Sequence, residues 1–146
     1  MSSQRGAAAR VREVHAALAR GDDSTLEGLL DPAVRWHAGD PQAGCQNREQ
    51  ALSWIRRARA AGRPLPEIVD VVESLNHLVV VLGHPASAEQ PDPPRTANLT
   101  TVRDGLVTEM VHYDDPEAAL LELRRLASSA SASVPPIESS GTAGSR

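Results

Sequence analysis

Residues 95–123 read RTANLTTVRDGLVTEMVHYDDPEAALLEL, and the reading of this stretch decides the fold. Asp104-Gly105 is a two-residue turn between two alternating segments, which predicts a β-hairpin. Beyond Tyr113 the pattern changes. Asp114-Asp115-Pro116-Glu117 precedes an alanine- and leucine-rich run, so a closing helix is expected with Asp115 as N-cap and Pro116 at its first position. On the second strand a period of two separates Leu106, Thr108, Met110, His112 and Asp114 from Val107, Glu109, Val111 and Tyr113. The first set mixes titratable with apolar side chains, a composition that suits a small-molecule pocket better than a dry core.

Upstream of the hairpin, HPASAEQPDPP at 84–94 holds four prolines and cannot supply a full set of ladder donors, so it is an extended loop. Before it, Ile68–Glu73 and Leu78–Gly83 are β-branched runs joined by Ser74–His77, a second hairpin. Asn47–Ala60 reads as a helix with Ala51, Leu52, Ile55 and Ala58 inward and Arg56, Arg57, Arg59 and Arg63 mostly outward; Gly62-Arg63-Pro64 closes it. Ala33–His37 is a short strand. Ahead of it, Leu26, Leu29 and Leu30 stripe a short helix capped by Asp23-Ser24-Thr25 and ended by Asp31-Pro32. Residues 7–20 place Val11, Val14, His15 and Leu18 on one helical face, with Gly21 as the stop. The order is helix, helix, strand, helix, four mainly antiparallel strands and a last helix. That is an α+β domain whose curved sheet wraps a helical layer.

The 146 residues fit one domain. Residues 1–7 are expected to be a flexible N-terminus, 8–126 the domain and 127–146, rich in Ser, Ala and Pro, a disordered tail without enough apolar area to offset its ordering entropy. The single cysteine, Cys45, excludes an intrachain disulfide framework and is read as a small buried residue. No signal-peptide core and no bilayer-length apolar run is present, so a cytoplasmic protein without a membrane partner is expected. A net charge of -4 with few aromatics gives neither a broad basic surface nor stacking platforms for nucleic acid. No glycine-rich loop leads from strand to helix, which argues against a phosphate or dinucleotide cofactor. His37, His84 and His112 lack tight ligand spacing, so no metal is expected either.

Four parts carry a family likeness: the helical start, DPAVRWHAG as first strand, CQNREQALSWI as the following helix, and VRDGLVTEMVHYDDPEAALLEL as the ending. In this order, over residues 8–126, the chain resembles the nuclear transport factor 2-like superfamily, nearest its SnoaL-like, polyketide cyclase-like branch. The resemblance implies a cone-shaped cavity between sheet and first helices, often in a homodimer formed through the outer sheet face. Cyclases, ketosteroid isomerases, dehydratases, epoxide hydrolases and domains that only bind all share that architecture, so it does not choose a reaction. Against the limonene epoxide hydrolase branch, VTEMVHYDD turns Met110, His112 and Asp114 to the cavity, with His112 where that branch carries a catalytic carboxylate. Its absence, and the lack of an arginine-x-aspartate pair on 78–83, disfavours epoxide hydrolysis. SnoaL-like cyclases carry an acid near the end of this strand, a place matched by Asp114 or Asp115. Capping engages Asp115, which leaves Asp114 as the candidate general acid or base and His112 as its proton-shuttling neighbour.

The same overlay turns Asn98 inward between Thr96 and Thr100, where an amide can hold a carbonyl or a water. On the first strand His37 is expected inside, with Trp36 retained as the alternative pocket aromatic; His84 at its strand end is within reach of the cavity rim, but a loop histidine before proline is read as surface. Outward Val107, Val111 and Tyr113 would leave an apolar patch, which motivates homodimerisation. Two function classes follow. One is a cyclase, isomerase or dehydratase using His112 and Asp114 on a small apolar molecule; the other is a non-catalytic ligand-binding or dimerisation domain.

Overall fold

The computed structural model describes residues 3–133, with the side chains of 7–129. The elements run α1 (Ser3–Arg20), α2 (Asp23–Leu29), β1 (Leu30–His37), α3 (Arg48–Ala60), β2 (Glu67–Ser74), β3 (His77–Gly83), β4 (Thr96–Arg103), β5 (Leu106–Tyr113) and α4 (Pro116–Ser133). The strands form one curved, unclosed sheet in the order β1-β5-β4-β3-β2. All neighbours are antiparallel except β1 and β5, which are parallel.

Local chemistry explains the turns and caps. Asp104 and Gly105 both take positive φ, 53° and 79°, which matches the twist of a tight hairpin. Asn47 caps α3 by accepting from the Gln50 N–H at 2.9 Å, and Asp115 accepts from the Glu117 N–H at 3.1 Å. The cap of α2 is Asp22 rather than Asp23-Ser24-Thr25: its carboxylate accepts from the Thr25 N–H at 3.2 Å and from the Thr25 hydroxyl at 2.6 Å.

Some boundaries differ from expectation. β1 starts at Leu30, so Asp31-Pro32 lies within a strand instead of ending a helix. Pro32 is tolerated there because the register against β5 shifts between Leu30 and Arg35, where a missing N–H costs no ladder bond. α1 reaches back to Ser3, and α4 continues to Ser133 through the first part of the serine- and alanine-rich tail. Alanine favours helix, and Leu126 packs with the core, so the helix outlasts its leucine stripe. Residues 134–146 lie outside the described residues.

A β-bulge changes the facing of β5. Thr101 pairs with Glu109 but Val102 pairs with Val107, so Thr108 is an extra residue that interrupts the alternation. Val107 therefore turns to the concave side with Met110 and is buried at 1% exposure, a correction to its expected outward direction.

The core has two parts, one on each face of the sheet. On the concave side Val11, Val14, Leu26, Leu52 and Ile55 from α1–α3 meet Leu78, Val80, Val102, Val107 and Met110. On the convex side Ala119 and Leu123 of α4 cover Val79, Val81, Ala97 and Leu99, with Val111 and Tyr113 packed against them. β3 is thus buried on both faces, which explains its unbroken apolar run. Of the residues that motivate a homodimer, Val107 lies on the concave side, while Val111 and Tyr113 are half-buried beside α4.

Candidate functional site

The concave sheet face and α1–α3 enclose a cavity of about 1260 Å³ that opens to solvent. Its walls are mostly aliphatic: Val11, Val14 and Leu18 from α1, Ile55 from α3, Val80 and Leu82 from β3, Val107 and Met110 from β5. Strand register sets where polarity enters. Asn98 lies between Val80 and His112 in one cross-strand row, and Thr100 between Leu78 and Met110 in the next. Thr96, Asn98 and Thr100 all line the cavity, because β4 alternates without interruption.

Within this wall Asn98 and His112 form the main polar group. His112 Nδ1 lies 3.3 Å from Asn98 Oδ1, and its Nε2 lies 3.1 Å from Asp114 Oδ1. The imidazole is thereby held between the cavity wall and the strand end. Asp114 itself is not a wall residue: its side chain is 96% exposed, against 36% for His112. Asp114 therefore sits in water behind the histidine, not at an apolar mouth as its place on the strand suggested.

Both candidates on the first strand border the cavity, but their side chains pack toward opposite faces of the sheet. Trp36 pairs with Met110 and packs on the concave core, whereas His37 pairs with Val111 on the convex side. His37 Nδ1 accepts from the Gly39 N–H at 3.1 Å, so its Nε2–H donates to Glu109 Oε2, at 2.7 Å. Both ring nitrogens are committed on the outer face, and His37 reaches the cavity only as part of its wall. The loop after β1 secures this arrangement: Cys45 exchanges backbone bonds with Trp36 at 2.8 and 3.1 Å. Gly44 is required there, since a Cβ would lie 2.0 Å from the Trp36 carbonyl oxygen.

Further residues complete the wall, and no local sequence pattern marks them as site residues. His84, read as surface, lines the cavity with Nε2 2.8 Å from Thr96 Oγ1. His15 donates from Nε2 to the Pro66 carbonyl at 2.7 Å, tying α1 to the strand entry. Trp54 of α3 meets Trp36 at 5.2 Å between ring centroids, tilted by 57°, which makes an aromatic corner. The arginines near the end of α3 also rim the opening. The helical period turns them outward, and the packing of α3 over the sheet places that outward side at the cavity. Burial pushes the Cys45 thiol up, with the Arg57 charge opposing it.

On the convex side a hollow of about 290 Å³ is lined by His37, His77, Thr101, Glu109, Tyr113 and Glu122 among others. Burial, then the Arg103 charge, pushes His77 down, with Glu109 opposing. Burial, then Glu122, pushes the Tyr113 phenol up. Among the described residues no three His, Cys, Asp or Glu side chains converge on a metal position. No helix among them is long and apolar enough to cross a membrane.

No family model and no curated protein matches the sequence. Solved structures do. A candidate polyketide cyclase from Streptomyces antibioticus, IdmH, superposes at a TM-score of 0.60 with 21% identity, covering 81% of this chain and 98% of its own. A nuclear transport factor 2-like protein of unknown function from Burkholderia pseudomallei gives 0.61 with 18% identity over 84% and 97%. A candidate ketosteroid isomerase from Kribbella flavida gives 0.58 with 15% identity over 74% and 76%. The chain has the cone-shaped α+β fold that these nuclear transport factor 2-like proteins and candidate polyketide cyclases share.

Proposed function

We propose that the concave cavity binds a small, largely apolar molecule and that His112 moves a proton on it. The observation that carries this reading is the position of His112, whose ring bridges Asn98 in the cavity wall and Asp114 in solvent. With Asp114 accepting from Nε2–H, the neutral tautomer leaves Nδ1 as the base on the cavity side. Asn98 then turns its amide N–H toward Nδ1, since amide oxygen and nitrogen are interchangeable in such a network. A substrate C–H or O–H takes that place when bound. Asn98, released, donates to the substrate oxygen on which charge develops. Trp36 and Met110 hold the apolar body beside this pair. The exposure of Asp114 gives it the part of an orienting group, not of the base.

That exposure also favours a second reading, a cavity that binds without chemistry. Hydrogen–deuterium exchange α to the carbonyl of a cyclic ketone, followed by NMR with tetralone as the probe, separates the two. Proton transfer requires catalysed exchange in the wild type, a loss of roughly 10²- to 10⁴-fold in His112→Gln, and a smaller loss in Asp114→Asn. Bound tetralone whose exchange rate stays that of free solution would sink the catalytic reading and leave the binding one.

A further inference from the structure

The cavity mouth is charged in a way its walls are not. Arg56, Arg57, Arg59 and Arg63 line it, and among its described lining residues Glu49 is the single carboxylate. Glu49 sits in the first turn of α3 and Arg57 in its last. Eight positions of helix separate them by about 12 Å, so Glu49 does not neutralise the arginine end. Arg56 and Arg59 are compensated from elsewhere, both donating to Asp23 at 3.1 Å. Those bonds, from Arg59 foremost, hold the Asp23 carboxyl below its ordinary range.

Arg57 and Arg63 have no such partner. Arg57 donates to the Ser53 hydroxyl at 3.0 Å, and Arg63 stands 6.0 Å from the Trp54 ring centroid. Neither forms an ion pair among the described residues. The charge of Arg57 reaches into the cavity, where it acts on the thiol of the wall residue Cys45. Arg63 is steadied by the ring beneath it, which is the face of the aromatic corner. Two uncompensated guanidinium groups beside an aromatic wall, on a chain of net charge -4, form a local positive field that an anion can enter.

We infer that the ligand of this cavity is an amphiphilic anion, an apolar ring or chain bearing a carboxylate or sulfonate, with the charged group at Arg57 and Arg63 and the apolar body against Trp36 and Trp54. This rests on the proposal that the cavity is a ligand site. Guanidinium groups suit the anion because their planar donors match two oxygens of a carboxylate or sulfonate.

Two fluorescent probes of one skeleton test it: anilinonaphthalenesulfonate, and phenylnaphthylamine, which lacks the sulfonate. The wild type should bind the sulfonate tighter, and rising salt should erode that preference. In Arg57→Gln/Arg63→Gln the sulfonate should lose roughly tenfold or more in affinity, the order of a charge-assisted contact, while the neutral probe is held as before. Retained neutral binding shows that the variant folds and keeps its cavity. Equal binding of both probes to the wild type, or a sulfonate preference that survives the double substitution, overturns the anion assignment alone. Failure of both probes to bind the wild type overturns the ligand-site reading beneath it.

Discussion

Val79 and Val80 are neighbours on β3, yet they stand in different surroundings. Val79 points to the convex side, is fully buried and packs in the cluster under α4. Val80 points to the concave side and, though only 5% exposed, forms part of the cavity wall. Both faces of the sheet carry helices, but Val79 under α4 borders neither hollow, whereas the helices facing Val80 stand off and leave the cavity. The difference teaches that burial and filling are separate properties. An apolar face can exclude most solvent and still border a hollow.

The largest expected effect tests that separation directly. Val79→Ala should destabilise by roughly 2–3 kcal/mol, because deleted methyls leave a void that a packed layer cannot close. Val80→Ala should cost about 1 kcal/mol, since its side chain already borders empty space and few partner atoms are lost. Urea denaturation of both variants measures the two values on one scale. Equal losses would mean that the concave layer is as densely packed as the convex one, and the cavity reading would fall with them.

The same contrast explains what could be read from residues alone. The apolar run Leu78–Leu82 signals burial on both faces, Asp104-Gly105 signals the hairpin, and Asn47 signals the start of α3; all three are local. That Thr96, Asn98 and Thr100 share one face follows from regular alternation; that this face is the inward one rests on the family resemblance. The bulge at Thr108 follows from neither, because an extra residue in one strand is visible only against its partner. Without it Val107 is placed on the wrong side. Trp36 and His37 pose a related difficulty: alternation separates two neighbours but does not say which of them packs inward. The mouth arginines needed the position of α3 over the sheet, a tertiary fact with no local signal.

His37 and Glu109 give a second, smaller test. The His37 side chain is 6% exposed, and its Nε2–H has Glu109 as acceptor on the convex side. Glu109→Leu strands that donor, which should cost about 1–2 kcal/mol, the price of an unsatisfied buried group. Glu109→Gln retains an acceptor oxygen and should stay near wild type. Neither change should alter probe binding, as the contact lies on the opposite face from the cavity interior. Loss of probe affinity in Glu109→Leu at temperatures where the protein remains folded would show that the two faces are coupled.

The smallest effect concerns the roof of the cavity, through the cap of α2. The Asp22 carboxyl is lowered from 3.8 to about 2, first by the Thr25 hydroxyl, then by the Thr25 N–H and by Arg20. A folded value below the unfolded one means that the carboxylate stabilises the fold in full above about 3.8 and loses that contribution as pH falls through about 2. An asparagine at this position would cap α2 by the same geometry but carries no titrating group, so Asp22→Asn removes the acid dependence while keeping the helix start. The difference in Tm between wild type and Asp22→Asn should accordingly be small and steady near neutrality, then shrink across that acid window. Because the Asp22 side chain is partly exposed and its bonds are local, the change should register in the roof helix without loosening β3 on either face. A Tm difference that stays constant through the window would mean that Thr25 and Arg20 do not hold this carboxylate in solution.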